Sequence, residues 1–292
     1  MKNKIVLITG ANSGIGKATA IGLATIGATV IIGCRNKERG LEAVAEIKEA
    51  SGNSNVDLLL IDLASQKSVR EAAAEFKKRY SRLDVLINNA GVFLPKRELT
   101  EDGIEKTFAT NYLGHFLLTH LLLDRLKASA PSRIVCVASK HTGIKINFND
   151  LMLEKKFSTF AAVGPTKLGL VIFSKELSKR LEGTGVTINA LHPGLVKTTL
   201  LKDTGFFLKL FFKLLPQVTP EKGAETSIYL ASSSNVEKVS GKFFSNKKEI
   251  ETSAGANDEA TNKRFYELSL KLAHLSDNGN EEYKELEELE HV

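Results

Sequence analysis

Lys4-Ile5-Val6-Leu7-Ile8-Thr9-Gly10-Ala11-Asn12-Ser13-Gly14-Ile15-Gly16 joins an apolar run of strand length to a turn crowded with glycine. An alanine-rich helical pattern, Lys17 to Ile26, follows directly. A strand that breaks into glycines and opens a helix suits a dinucleotide pyrophosphate. The glycines admit the phosphate to the backbone, and the unpaired N–H groups and helix dipole favour negative charge. The spacing is G-x-x-x-G-x-G rather than the commoner G-x-G-x-x-G. Glycine turns also occur in ordinary tight turns, so the position directly after an N-terminal strand carries the reading. Gly10, Asn12, Ser13, Gly14, Ile15 and Gly16 are therefore the candidate cofactor-binding turn.

Outward from this stretch, strand and helix patterns alternate. Further strands are expected at Ala28 to Gly33, Val56 to Ile61, Leu83 to Ile87, Arg133 to Ala138, Val186 to Leu191 and Lys242 to Ser245. Helices are expected at Lys37 to Glu49, Ser65 to Lys78, Gly103 to Ala128, Phe157 to Leu181, Thr199 to Leu215, Pro220 to Ala231 and Asp258 to Ala273. Continuous apolar strands between amphipathic helices imply a parallel sheet covered on both faces. With right-handed crossovers this is a single-domain, Rossmann-type, doubly wound α/β fold of about seven strands. The domain is expected over 1–275. An acidic tail, 276–292, with seven acidic side chains against Lys284, reads as flexible.

The 292-residue chain is 42% hydrophobic and 25% charged, an ordinary composition for a soluble globule. Its two cysteines, Cys34 and Cys136, sit in strand-like runs, which argues against a disulfide framework or a cysteine-based zinc site and fits a reducing compartment. No apolar segment precedes the first strand, so a cytoplasmic protein without signal peptide or membrane anchor is expected. The net charge of +6 comes from a basic body and an acidic tail. No recognition helix, zinc-finger spacing or basic–aromatic interleaving accompanies it, so neither nucleic acid nor metal is expected.

In an open parallel sheet, chemistry collects beyond the carboxyl ends of the strands. The second strand ends in Gly33-Cys34-Arg35, where an NAD site often carries an acid for the ribose hydroxyls. A guanidinium there can grip a 2′-phosphate, which favours NADP(H) over NAD; a solvated loop arginine is the plainer reading. The third ends in Asp62-Leu63, where the carboxylate either meets an adenine or caps the next helix. The fourth ends in Asn88-Asn89-Ala90-Gly91, the fifth in Ala138-Ser139 and the sixth in His192-Pro193-Gly194.

These motifs, in this order, resemble the short-chain dehydrogenase/reductase family over residues 3–275. They are Thr9 with Gly10, Gly14 and Gly16, then Asp62-Leu63, Asn88 to Gly91, Asn111, Ser139, Lys167 and Pro193-Gly194. Gly33-Cys34-Arg35, Thr110 to Phe116, Arg133 to Val135, His192 to Gly194 and Ser240 to Ser245 are similar to the retinol dehydrogenase-like branch. The resemblance implies hydride transfer between NADP(H) and a lipophilic aldehyde, ketone or alcohol. Asn111, Ser139 and Lys167 would be catalytic. The glycine turn, Arg35, Asp62, Leu63, Asn88, Lys167, Pro193, Gly194 and Val196 would bind the cofactor. It also implies homodimers or homotetramers formed through the two long helices.

The family's tyrosine, four residues before the lysine, is missing. Val163 stands there, within Val163-Gly164-Pro165-Thr166-Lys167. Valine has no proton to give, and Pro165 is expected to bend the helix or shift its start. Tyr112, His141, or Lys167 acting through a water are the substitutes available in the sequence. Two readings therefore stand: an active oxidoreductase, and a catalytically impaired relative that binds NADP(H) as a sensor or partner-binding module. The aromatic, basic stretch Phe206 to Leu215 reads as a substrate lid, a peripheral membrane contact or a packing helix.

Overall fold

Strand β1, Ile5–Thr9, is the hinge of the architecture. A computed structural model describes residues 1–140, 143–197, 217–252 and 254–276. His141, the stretch 206–215 and the acidic tail beyond residue 276 lie outside the described residues. Beside β1 run β2, Thr29–Cys34, and β3, Val56–Leu60. On its other side come β4, Val85–Asn88, β5, Ser132–Val137, β6, Val186–His192, and β7, Phe243–Ser245. The sheet order is β3-β2-β1-β4-β5-β6-β7-β8. All neighbours pair in parallel except β8, Lys248–Ile250, which returns antiparallel on β7.

The order reverses between β1 and β4. The ends of these two strands thus flank the switch point where a doubly wound sheet opens a crevice. Side chains alternate across β1: Leu7 enters one hydrophobic layer, Val6 and Ile8 the other. Helices α1, Gly14–Thr25, and α2, Lys37–Ser51, cover the second layer with α8, Pro220–Ser232.

The first layer is covered by α3, Gln66–Arg79, by the segment from 106 to 128, and by α7, Thr159–Arg180. Expected as one helix, that segment is α4, Lys106–Phe108, a π-turn at Ala109–Leu113, then α5, Gly114–Leu121, and α6, Leu123–Ala128. The π-turn stands around Asn111, a common device at functional sites. Pro165 does not shift the start of α7, which begins at Thr159 behind an N-cap from Ser158. The ring removes one donor near the beginning of a 22-residue helix and leaves the later turns intact.

The sheet has eight strands rather than about seven. The extra strand follows a tight turn in which Asn246 and Lys247 both hold positive φ, 48° and 63°. That is the backbone of a two-residue hairpin.

Helix α9, Glu259–Leu272, closes the fold. It packs on the outer stripe of α5 and α7 and of the π-turn. Phe265 stacks 4.8 Å from Tyr112, Tyr112 Oη pairs with Ser269 Oγ at 2.8 Å, and Tyr266 hydrogen-bonds His120 at 2.8 Å. A Cβ on Gly169 of α7 would stand 2.9 Å from the Phe265 ring. Part of the surface of the two long helices is therefore covered from within this chain.

Candidate active site

The glycine turn is a cradle that side chains cannot enter. Gly10 has φ +66°, and a Cβ there would lie 2.8 Å from Ala90 Cα. A Cβ on Gly16 would stand 2.5 Å from both Gly10 O and Asn89 Nδ2. Ser13 is the N-cap of α1, yet its hydroxyl caps nothing, and no acidic residue lies in the first turn. A bare helix N-terminus directly behind a glycine turn fits an anionic phosphate.

Asn89 holds this turn. Its Nδ2 donates to Thr9 O at 2.8 Å and to Gly10 O at 3.3 Å. Asn88, the residue expected at the cofactor, points into the interior instead. It is fully buried and donates to Thr119 Oγ1 at 2.9 Å. Leu63 likewise sends its side chain into the core against Gly114.

Arg35 is 67% exposed and stands 3.8 Å from the Asp62 carboxylate. Asp62 does not cap α3; Ser65 does, accepting from the Ser68 N–H. The Asp62 carboxylate instead accepts from Ala64 N–H at 3.0 Å, fixing the turn after β3. On the far wall, Gly194 turns the chain at φ +85°, and Val196 bridges to Val218. Val196 then packs toward Ile15, since a Cβ on Gly223 would meet Val196 at 2.6 Å and Ile15 at 3.3 Å. The turn after β6, with Pro193 next to Gly194, thus reaches back to the start of α1.

Asn111, Gly91 and Lys167 form a corner. Asn111 clasps Val92 twice, accepting from its N–H at 2.7 Å and donating to its carbonyl at 3.0 Å. A Cβ on Gly91 would lie 3.4 Å from Asn111 Oδ1 and 3.6 Å from Lys167 Nζ. Lys167 is only 9% exposed and donates to Val137 O at 2.9 Å, two residues before the half-buried Ser139. Burial pushes its ammonium down to about 8, from 10.5. Val163, one turn earlier on α7, is 4% exposed, and its carbonyl accepts from Thr166 Oγ1 at 2.7 Å.

Tyr112 does not reach this corner. Its hydroxyl is buried against Ser269, and burial raises its pKa. Tyr80 is held by Asp57 and Tyr266 by His120. Thr9, Asn89, Gly91 and His115 lie within the quoted motifs but carry no site role in the sequence. The doublet Asn88-Asn89 carried the signal for the second. His115 stands one helical turn beyond Asn111, a spacing that puts both on one side of the segment.

A doubly wound sheet with an anion cradle at its switch point, beside a buried lysine, defines a dinucleotide-dependent enzyme of the Rossmann type. The short chain dehydrogenase family model matches residues 4–205, and the chain belongs to that oxidoreductase family. Retinol dehydrogenase 13 of Mus musculus is 46% identical over 283 residues, 94% of this chain and 84% of the relative. Retinol dehydrogenase 14 of Homo sapiens is 46% identical over 288 residues, 92% of this chain and 86% of the relative. Among solved structures, an uncharacterized protein from Mycobacterium paratuberculosis superposes with TM-score 0.76 at 33% identity, covering 93% of this chain and 94% of that one. The RhlG/NADP complex of Pseudomonas aeruginosa superposes with TM-score 0.68 at 25% identity, covering 88% and 97%. Among the described residues no helix is long and apolar enough to cross a membrane, and no group of side chains is arranged to hold a metal.

Proposed function

We propose that the protein is an NADP(H)-dependent oxidoreductase acting between a lipophilic alcohol and its aldehyde or ketone. The observation that carries this is the corner at Gly91, where Asn111 Oδ1 and Lys167 Nζ converge on a position without a side chain, on the same sheet edge as the glycine cradle. The residues present fit a nicotinamide dinucleotide. Gly10, Gly14 and Gly16 with the bare start of α1 would take the pyrophosphate. Arg35 would take the 2′-phosphate, since its guanidinium is exposed and only loosely paired with Asp62. Lys167 would hold the ribose, and the turn at Pro193, Gly194 and Val196 would close over the nicotinamide. The cofactor supplies the hydride acceptor or donor when bound. Ser139 orients the substrate oxygen, while the ammonium of Lys167, protonated at neutral pH, is a candidate proton source. The retinol dehydrogenase names of the relatives support the lipophilic substrate.

One observation favours a second reading, an NADP(H)-binding relative with impaired turnover. At the family's phenol position the chain carries a buried valine, and Tyr112 is committed to Ser269. A positioned general acid is worth about 10²- to 10⁴-fold. The test is NADPH oxidation with retinal or medium-chain aldehydes, for wild type and Ser139→Ala. Turnover abolished by Ser139→Ala supports the enzyme. NADPH binding with no turnover supports the impaired reading, and binding of neither NADPH nor NADH ends both.

A further inference from the structure

Under the cleft lies a buried titratable group that the proposed chemistry does not use. His115 has no solvent exposure. Its Nε2 is 2.8 Å from Thr9 Oγ1, and its Nδ1 is 3.3 Å from the backbone carbonyl of Asn111. Thr9 Oγ1 also accepts from the N–H groups of Asn89 at 2.9 Å and Ala90 at 3.1 Å. Both lone pairs of the hydroxyl are thus occupied, and it has one proton to give. The acceptors in reach are Ile87 O at 3.4 Å and His115 Nε2 at 2.8 Å. The ring nitrogen is the better of the two on distance. Nε2 must then be unprotonated, so the ring hydrogen sits on Nδ1 and points at Asn111 O.

We propose that His115 is a positioning residue, fixed as the Nδ1–H tautomer, which couples the floor of the glycine turn to the backbone of Asn111. The bonds run in one direction, from the β4 turn through Thr9 Oγ1 and the imidazole to the π-turn that presents Asn111. Each donor finds an acceptor, so no member of the buried chain is left over. Burial, with a smaller contribution from the Lys167 charge, pushes the ring's pKa down to about 3 and keeps it neutral. A protonated ring would donate from both nitrogens and turn Thr9 away. The floor of the dinucleotide cradle and the backbone of Asn111 are thereby linked through one side chain. The functional half of this inference rests on the dinucleotide reading; the tautomer does not.

Two measurements test it. In ¹⁵N-histidine-labelled wild type, His115 should show a protonated Nδ1 and an unprotonated Nε2, with an Nδ1–H resonance that moves on adding NADPH. An Nε2–H tautomer, a tautomeric mixture or a resonance indifferent to NADPH overturns the proposal. In the second, NADPH dissociation constants are measured by nucleotide fluorescence for His115→Phe, Thr9→Val and the double variant, with thermal midpoints alongside. Each single variant should weaken NADPH about tenfold, the worth of one or two neutral hydrogen bonds, and the double variant little more than either. Multiplicative losses overturn the coupling. If His115→Phe does not fold, Thr9→Ser against Thr9→Val reads the same hydroxyl: serine should keep wild-type affinity, and equal losses overturn the proposal. If wild type binds neither NADPH nor NADH, the dinucleotide reading fails and takes the coupling with it. The tautomer is still decided by the spectrum.

Discussion

Lys167 Nζ donates to the backbone carbonyl of Val137 across 2.9 Å, which moors helix α7 to the end of β5 two residues before Ser139. The same burial that makes this bond lowers the ammonium to about 8. Between pH 8 and 10.5 the unfolded chain therefore binds a proton that the folded protein has released. Stability carries a penalty below about pH 8 that is relieved as pH rises through this window. Lys167→Met should stabilise the protein at pH 7 by on the order of 2 kcal/mol, the charge penalty less the lost hydrogen bond. That advantage should shrink toward pH 10, read as the difference in urea midpoints. A difference that stays flat with pH would show that Lys167 is not desolvated.

Val163 lies one turn before Lys167 with its side chain buried. If this is the proton-donor position, Val163→Tyr should raise NADPH-dependent turnover about 10²-fold or more. The larger side chain should cost about 1–3 kcal/mol of stability. Rates of aldehyde reduction, compared at saturating NADPH, are the check. Equal rates in wild type and variant would mean that the proton comes from elsewhere.

The fold was legible because its strands are continuous apolar runs punctuated by glycine turns, and because the helices between them keep their period. What escaped has local causes. Strand β8 has three residues, and its turn, Asn246-Lys247, adopts left-handed backbone at a lysine, where glycine would have announced it. The π-turn at Ala109–Leu113 leaves hydrophobic spacing nearly unchanged, so the segment reads as one helix. Of the candidate site, Gly10 and Gly16 lie in the turn after β1, and Asn111 and Lys167 converge at Gly91. Asn89, rather than the expected Asn88, holds the glycine turn. Asn88 shares the strand face of Leu86 and enters the core, while Asn89, beyond the strand, is free to turn back on Thr9.

Arg35 and Asp62 test the coenzyme assignment. Their 3.8 Å separation and the exposure of the guanidinium make the pair weak, so an incoming 2′-phosphate can displace the carboxylate. Arg35→Asp should weaken NADPH relative to NADH by about tenfold or more, the worth of one bidentate charge-assisted contact. Dissociation constants for both coenzymes, measured on wild type and variant, give the ratio. An unchanged ratio would remove Arg35 from the phosphate site.

Helix α9 occupies the outer stripe of α5 and α7, with Phe265, Tyr266 and Leu270 buried there. A second copy of the chain cannot use that stripe while α9 is docked. Light scattering should therefore give no dimer that a mild substitution on this stripe selectively dissociates. A stable wild-type dimer dissociated by a mild stripe substitution, with α9 still helical, would contradict this.

His120 fastens the same helix. Its Nδ1 faces Phe116 O at 2.7 Å and its Nε2 the Tyr266 hydroxyl at 2.8 Å, while Arg180 lies 3.9 Å over the Tyr266 ring. Nδ1 must donate to the carbonyl, so in the neutral ring Nε2 accepts from the tyrosine, and a second ring proton would force the Tyr266 hydroxyl to turn. Burial, first among the causes, lowers the imidazole to about 4 from 6.5. A group whose folded pKa is lowered contributes its stability in full above 6.5 and loses it as pH falls through the folded value. By pH 5 the loss from His120 amounts to about 2 kcal/mol. His120→Phe should be less stable than wild type at pH 7.5, where Tyr266 has lost its acceptor. The gap should close by pH 5, because the variant has no imidazole to charge there. Denaturation midpoints at the two pH values measure it, and a gap of constant size would mean that His120 titrates alike in the folded and unfolded chain.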